Sequence, residues 1–178
     1  MIRRLLSLGA ATLAALAGGC GDGPSTVPGG YRSPATWSSF VYATSSGPLL
    51  LEVRGDPFGT GTARLEAAVA ASMAAALPGR PFAMTTDASQ APRPAFRVTV
   101  VLGPARDLDD RDICAGRAVP VTSSPGDGGR VDVAAAFCDG SSLLSSSRGW
   151  VAKVEDIDDR RFRRMLEQIA RDLMGDPQ

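Results

Sequence analysis

Ala95-Phe96-Arg97-Val98-Thr99-Val100-Val101-Leu102 is the stretch that decides the fold. In a strand, successive side chains point to opposite faces. Phe96, Val98, Val100 and Leu102 therefore share one face, and Arg97, Thr99 and Val101 share the other. The first set is large and apolar, so the spacing predicts a strand with that face buried. A sheet with a buried face needs a second layer to cover it.

Two stretches can supply that layer. Thr62 to Leu77 repeats Leu65, Val69, Met73 and Ala76-Leu77 at helical spacing, with alanine filling most of the rest. Thr62 is placed to cap it, Glu66 suits its positive end, and Pro78-Gly79 stops it. Asp158 to Met174 carries the stripe Phe162, Met165, Leu166, Ile169 and Leu173. Asp156, Asp158 and Asp159 favour its start, Glu167 and Arg171 stand four apart, and Gly175 and Pro177 end it.

Around these lie shorter strand signals. Trp37 to Ala43 and Leu49 to Val53 read as a strand pair across the turn Ser45-Ser46-Gly47-Pro48, and Phe82 to Thr86 as a short strand. Arg130 to Cys138 alternates, with Val131, Val133, Ala135 and Phe137 on one face. Asp139-Gly140 is a tight-turn signal. Leu143 to Ser147 and Trp150 to Val154 would return antiparallel, bent at Gly149, with the serines on a wet face. Val121 to Gly129 reads as a turn. The expected fold class is α+β: a two-layer sandwich with a mostly antiparallel sheet of five or six strands and both helices on one face.

The N-terminus carries a different message. Arg3 and Arg4 precede an uncharged run from Leu5 to Ala17, which ends in Leu16-Ala17-Gly18-Gly19-Cys20. A positive start, a short apolar middle and small residues at its end form a secretory signal. The run is too short to span a bilayer as a helix. With cysteine directly after Gly19, the ending resembles the lipobox of bacterial lipoproteins, with Leu16 one step before that family's usual leucine position. The resemblance implies a signal peptide over 1–19, cleavage before Cys20 and lipid on the Cys20 thiol. It also implies localisation in the cell envelope facing the periplasm. In that family an Asp directly after the cysteine favours inner-membrane retention. Here Gly21 follows and Asp22 comes next, so the outer membrane is favoured. Residues 20–34, GDGPSTVPGGYRSP after the cysteine, read as the lipidated residue and a flexible linker. The single domain is expected over 35–175, with a tail at 176–178. The order of its elements resembles small envelope-lipoprotein domains, a likeness of fold that carries no residues across.

Composition narrows the function. The chain has 19 basic and 19 acidic residues, and loss of Arg3 and Arg4 leaves the mature form slightly acidic, no match for nucleic acid. There is no histidine, which removes the commonest general base and metal ligand. With Cys20 lipidated, Cys114 and Cys138 remain. In an exported domain two cysteines suggest one disulfide; reduced thiols or a metal pair are the alternatives, and two thiols without histidine do not make a zinc site.

The strongest functional-looking loop is Gly55 to Thr62, GDPFGTGT, between a strand and a helix. Backbone amides at a helix start can hold an anion. The candidate ligand-binding set is Arg54, Gly59, Gly61, Thr62 and Arg64, although Arg64 replaces the third glycine of a dinucleotide fingerprint and no Walker lysine is present. Helix entry and a tight turn also explain these glycines. Arg54-Gly55-Asp56 spells an adhesion tripeptide, but it sits where a strand must end before Pro57. Asp107, Asp109, Asp110 and Asp112 fail the calcium-loop pattern, since Arg111 takes an alternating slot, and Arg106 and Arg111 neutralise them. A serine enzyme would have to use Lys153, the only lysine, and no Ser-x-x-Lys spacing leads to it. The expectation is a non-enzymatic envelope lipoprotein with no cofactor and no metal. It would be held to the membrane through Cys20 and bind an envelope partner through an exposed sheet face or loop. An anion binder using Gly55–Thr62 is the alternative, and an envelope hydrolase a more distant one.

Overall fold

The computed structural model describes residues 23–121, 124–125 and 129–175. The leader, Cys20 and the tail lie outside the described residues, as do 122–123 and 126–128 of the expected turn. Ten elements follow in order: β1 (Ser25–Arg32), α1 (Thr36–Ala43), β2 (Leu49–Arg54), α2 (Thr62–Ala74), β3 (Met84–Thr85), β4 (Phe96–Leu102), α3 (Asp110–Cys114), β5 (Val131–Asp139), β6 (Ser142–Val151) and α4 (Arg160–Met174). The strands form one six-stranded sheet in the order β1-β6-β5-β4-β2-β3. The fold is an α+β sandwich.

The sheet is mixed. β1, β6, β5 and β4 pair antiparallel in succession, whereas β4, β2 and β3 run parallel. The parallel part has a plain cause: α2 carries the chain back along the sheet between β2 and β3, and parallel neighbours need such a crossover.

The alternation in β4 holds. Val98, Val100 and Leu102 join the main core with Val131, Val133, Ala135 and Phe137 of β5. Register explains the match, since Val98 pairs with Phe137, Val100 with Ala135 and Leu102 with Val133. Over this face lie α2, through Leu65, Val69 and Met73, and α4, through Phe162, Met165, Leu166, Ile169 and Leu173. Phe58, in the loop before α2, meets Phe162 edge to face at 5.2 Å. The opposite face is also covered. Val101, Ala134, Ala136 and Cys138 pack there against Ile113 and Cys114 of α3.

Five expectations need correction. Trp37 to Ala43 is helix α1, not a strand. Its Phe40 is fully buried and meets Phe82 edge to face at 5.0 Å, so tertiary packing outweighs the strand preference of aromatic and branched residues. The 20–34 linker is not simply a tether: Ser25–Arg32 within it is edge strand β1, so the domain begins there and not at residue 35. Proline is tolerated at such an edge, and Pro28 pairs with Ser147 beside a register shift.

Ser142–Val151 is one strand, β6, rather than two bent at Gly149, and residues 152–154 lie beyond its end. Gly149 instead lets α4 approach: a Cβ there would come 3.1 Å from both Met165 and Ile169 side chains. The serines of β6 do not form a wet face. Ser145 donates to the Leu173 carbonyl at 2.6 Å and Ser147 to Asp172 at 3.1 Å, both beneath α4. Their small size admits the helix and their hydroxyls find partners on it. Lastly, Arg171 donates to Gln168 at 3.0 Å, not to Glu167.

Candidate functional site

The Gly55–Thr62 loop is built around its own anion. Asp56 accepts from the Phe58 N–H at 3.2 Å and the Gly61 N–H at 2.9 Å. Gly61, at φ +88, is the N-cap of α2 in a backbone conformation that L side chains rarely adopt, and Thr62 is the first helical residue with no capping side-chain bond. An Asp56 carboxylate against these amides supplies the negative charge a helix start favours and repels a second one. The loop's buried Thr60 hydroxyl has no hydrogen-bond partner. The structure does not gather the candidate set around the loop. Arg54 turns to the α3 face and donates to the Gly116 and Ala118 carbonyls at 3.1 and 2.9 Å. Arg64, on the helix side, pairs with Asp158 at 2.7 Å. Gly59 is exposed at the loop tip.

The α3 face holds a charged cluster that strand alternation alone could have revealed, because its residues occupy the second face of β2 and β4. Glu52 stands between two guanidiniums. Arg54 donates to it at 3.2 Å, and Arg97 Nε lies 3.1 Å away without aiming its hydrogen at the carboxylate. Thr99, fully buried, donates at 3.1 Å to Glu52 Oε2, the oxygen that Arg54 also reaches. Arg97 also donates to the Cys114 carbonyl at 2.7 Å and the Gly140 carbonyl at 2.9 Å. The Cys114–Cys138 disulfide closes over this layer, with Cα atoms 5.5 Å apart. It ties α3 to β5. Apart from the Arg97 Nε–H, the hydrogen bonds of this cluster run within it and to backbone, which suits holding a layer in place.

The acidic run resolves in the same way. Asp109 caps α3 through the Arg111 N–H at 2.9 Å, Asp110 binds Arg148 at 2.7 Å and Ser146 at 2.6 Å, and Asp112 pairs with Arg117. Among the described residues no group of three or more potential metal ligands is found. Lys153 is exposed, with φ +58, in the segment after β6.

A concavity that sequence reading missed is an open groove of about 440 Å³ between α2 and α4. Ala68, Ala71 and Ala75 floor it; Arg160, Arg163, Arg164 and Glu167 line the α4 side, three guanidiniums against one carboxylate. The Ser72 hydroxyl is turned back to the Ala68 carbonyl at 2.8 Å. Asp158 at the rim is already paired with Arg64, so guanidinium charge dominates the wall. The signal was there in arginines spaced to share one exposed helix face. At the head of α4, Asp159 caps the helix by accepting the Arg161 N–H at 2.7 Å. The Arg161 side chain beside it holds the Asp159 carboxyl below the usual carboxylate range.

Fold and side-chain layout thus define a disulfide-bridged α+β sandwich with an open groove lined by arginines. No protein-family model, curated protein or solved structure matches the chain.

Proposed function

We propose that this chain is a lipid-anchored envelope protein with a non-enzymatic binding role, in which the domain holds a partner beside the membrane. The observation that carries the reading is the division of labour among three cysteines. Cys114 and Cys138 are joined to each other, as suits an oxidising compartment, and Cys20 stands alone after a short apolar leader. α2 and α4 cover one sheet face and α3 packs on part of the other. The groove between α2 and α4 is the partner's place in the proposal. Its alanine floor admits a close approach, and its arginines would favour an acidic segment of an envelope protein. The Phe58 and Gly61 amides already serve the Asp56 carboxylate, which weighs against the anion-binder alternative.

Mass spectrometry of protein from the producing cell tests the anchor. The expected species starts at Cys20 and carries acyl chains; an intact, unmodified leader overturns it. Crosslinking in vivo tests the role. Charge reversal of Arg160, Arg163 and Arg164 to Glu should abolish the crosslinked species, and an unchanged pattern would rule out the groove.

A further inference from the structure

We infer that the end of the sheet where β1 begins is a membrane-facing surface. It would lie against the bilayer that holds the Cys20 lipid, with Val119, Val121 and Trp150 as its apolar contacts. The inference rests on the lipid-anchor reading above. Its first support is chain length. A fourteen-residue tether would let the domain stand well away from the membrane, but β1 starts at Ser25. Only residues 21–24 then separate the anchor from the sheet, a reach of at most about 18 Å.

The second support is what lies at that end. Strand directions bring together the start of β1 and the ends of β6, β4 and β2. Ser25 pairs with Trp150 near the end of β6. The Val121 N–H donates at 2.8 Å to the Gly103 carbonyl, one residue past the end of β4. Strands β1 and β4 are three places apart, roughly 14 Å across the sheet. One bilayer surface within the anchor's reach can therefore meet both places. Val119 and Val121 flank the exposed Pro120 and are themselves 64% and 60% exposed, among the few large apolar side chains left open. Val27, next but one to Ser25 on β1, is another, at 66%. Trp150 is partly exposed, with the Arg130 guanidinium 4.5 Å from its ring centre. A tryptophan with an arginine over it has the apolar body and polar tip that suit the headgroup level. Arg130 is tied to Asp132 at 2.6 Å, so the guanidinium over Trp150 brings no unbalanced charge to it.

The molecule has its own control. Trp37, the other tryptophan, sits on α1, which follows the far end of β1 and precedes the start of β2, at the opposite end of the sheet. The test uses the full lipidated chain in phosphatidylcholine vesicles with or without brominated acyl chains. Trp37→Phe leaves Trp150 as the reporter, and Trp150→Phe leaves Trp37. Brominated chains should remove about half of the Trp150 emission and leave Trp37 unchanged. Val119→Ser with Val121→Ser, both at exposed positions, should restore most of the lost emission. Protein that floats with the vesicles while both tryptophans behave alike overturns the docking surface and leaves the anchor standing. Protein that does not float removes the anchor reading and this inference with it.

Discussion

The two faces of the sheet are held by different physics. Under α2 and α4 the contact is apolar: Val98, Val100, Leu102 and Phe137 meet Phe162, Met165, Leu166 and Ile169, all fully buried. Under α3 the apolar set is small, and the layer relies on the disulfide, the Glu52–Arg97–Thr99 cluster and the Asp110–Arg148 pair. Length explains the difference. The fifteen residues of α4 present a whole stripe to the sheet, whereas the five of α3 cannot bury enough surface alone. A short layer is fixed by covalent and ionic ties where a long one is fixed by burial. The helix face should therefore ignore reductant and salt, and the α3 face should answer to both.

The largest test of this contrast is Phe162→Ala. Emptying a fully buried site should cost about 3–5 kcal/mol in urea unfolding, and equally so in reductant. A loss near 1 kcal/mol would mean the helix face is not the main source of stability. Next comes the disulfide. Cys114→Ser with Cys138→Ser should cost about 3 kcal/mol and shift the urea midpoint as reductant does on the parent protein. Combined with Phe162→Ala, the two losses should add, because the sites lie on opposite faces. Strong coupling would erase the distinction between the faces.

Glu52→Gln probes the ionic part. Arg97 would lose its carboxylate in a largely buried setting, at a cost of about 1–2 kcal/mol after allowing for the partial exposure of Glu52. The gap between parent and variant should narrow in high salt, since the interaction is partly screened. A gap indifferent to salt would point to packing instead.

The smallest effect belongs to the Asp159–Arg161 contact at the head of α4. Asp159→Ala should cost about 1 kcal/mol as a lost cap. Arg161 depresses the folded-state pKa of Asp159, so the ionic share of this stabilisation is present above the unfolded carboxylate value, about 3.9. It disappears as pH falls through the lower folded value. Stability against pH should thus show parent and variant parallel from pH 5 to 8 and converging in acid. A constant difference throughout would remove the ionic share.

Legibility in the sequence followed the same division. The stripes of α2 and α4 and the alternation of β4 and β5 were readable because each puts its large apolar side chains on the face toward the main core, and that leaves a period. Trp37–Ala43 misled because its composition favours a strand while its placement does not. Thr36 donates to the Ser33 and Leu144 carbonyls and so fixes the entry to α1, contacts more than a hundred residues apart in one case. Ser25–Arg32 misled because an edge strand needs only one partner, and its proline and glycines look like a tether. The Gly55–Thr62 loop looked like an anion site because the sequence shows the glycines but not where the Asp56 carboxylate folds back. Of the α2–α4 groove only the shared face of Arg160, Arg163 and Arg164 was readable, since the concavity itself depends on how the two helices cross.

Local pattern alone determined the two amphipathic helices, the one-sided strands, the absence of histidine chemistry and a spare pair of cysteines. These follow from covalent geometry and from which side chains avoid water, and both are written residue by residue. Only the tertiary structure decided that the chain ahead of α1 joins the sheet, that α2 makes part of that sheet parallel, and that a carboxylate occupies the loop's amides. Each of those depends on a partner far along the chain, and a partner's position is set by the packing of the whole.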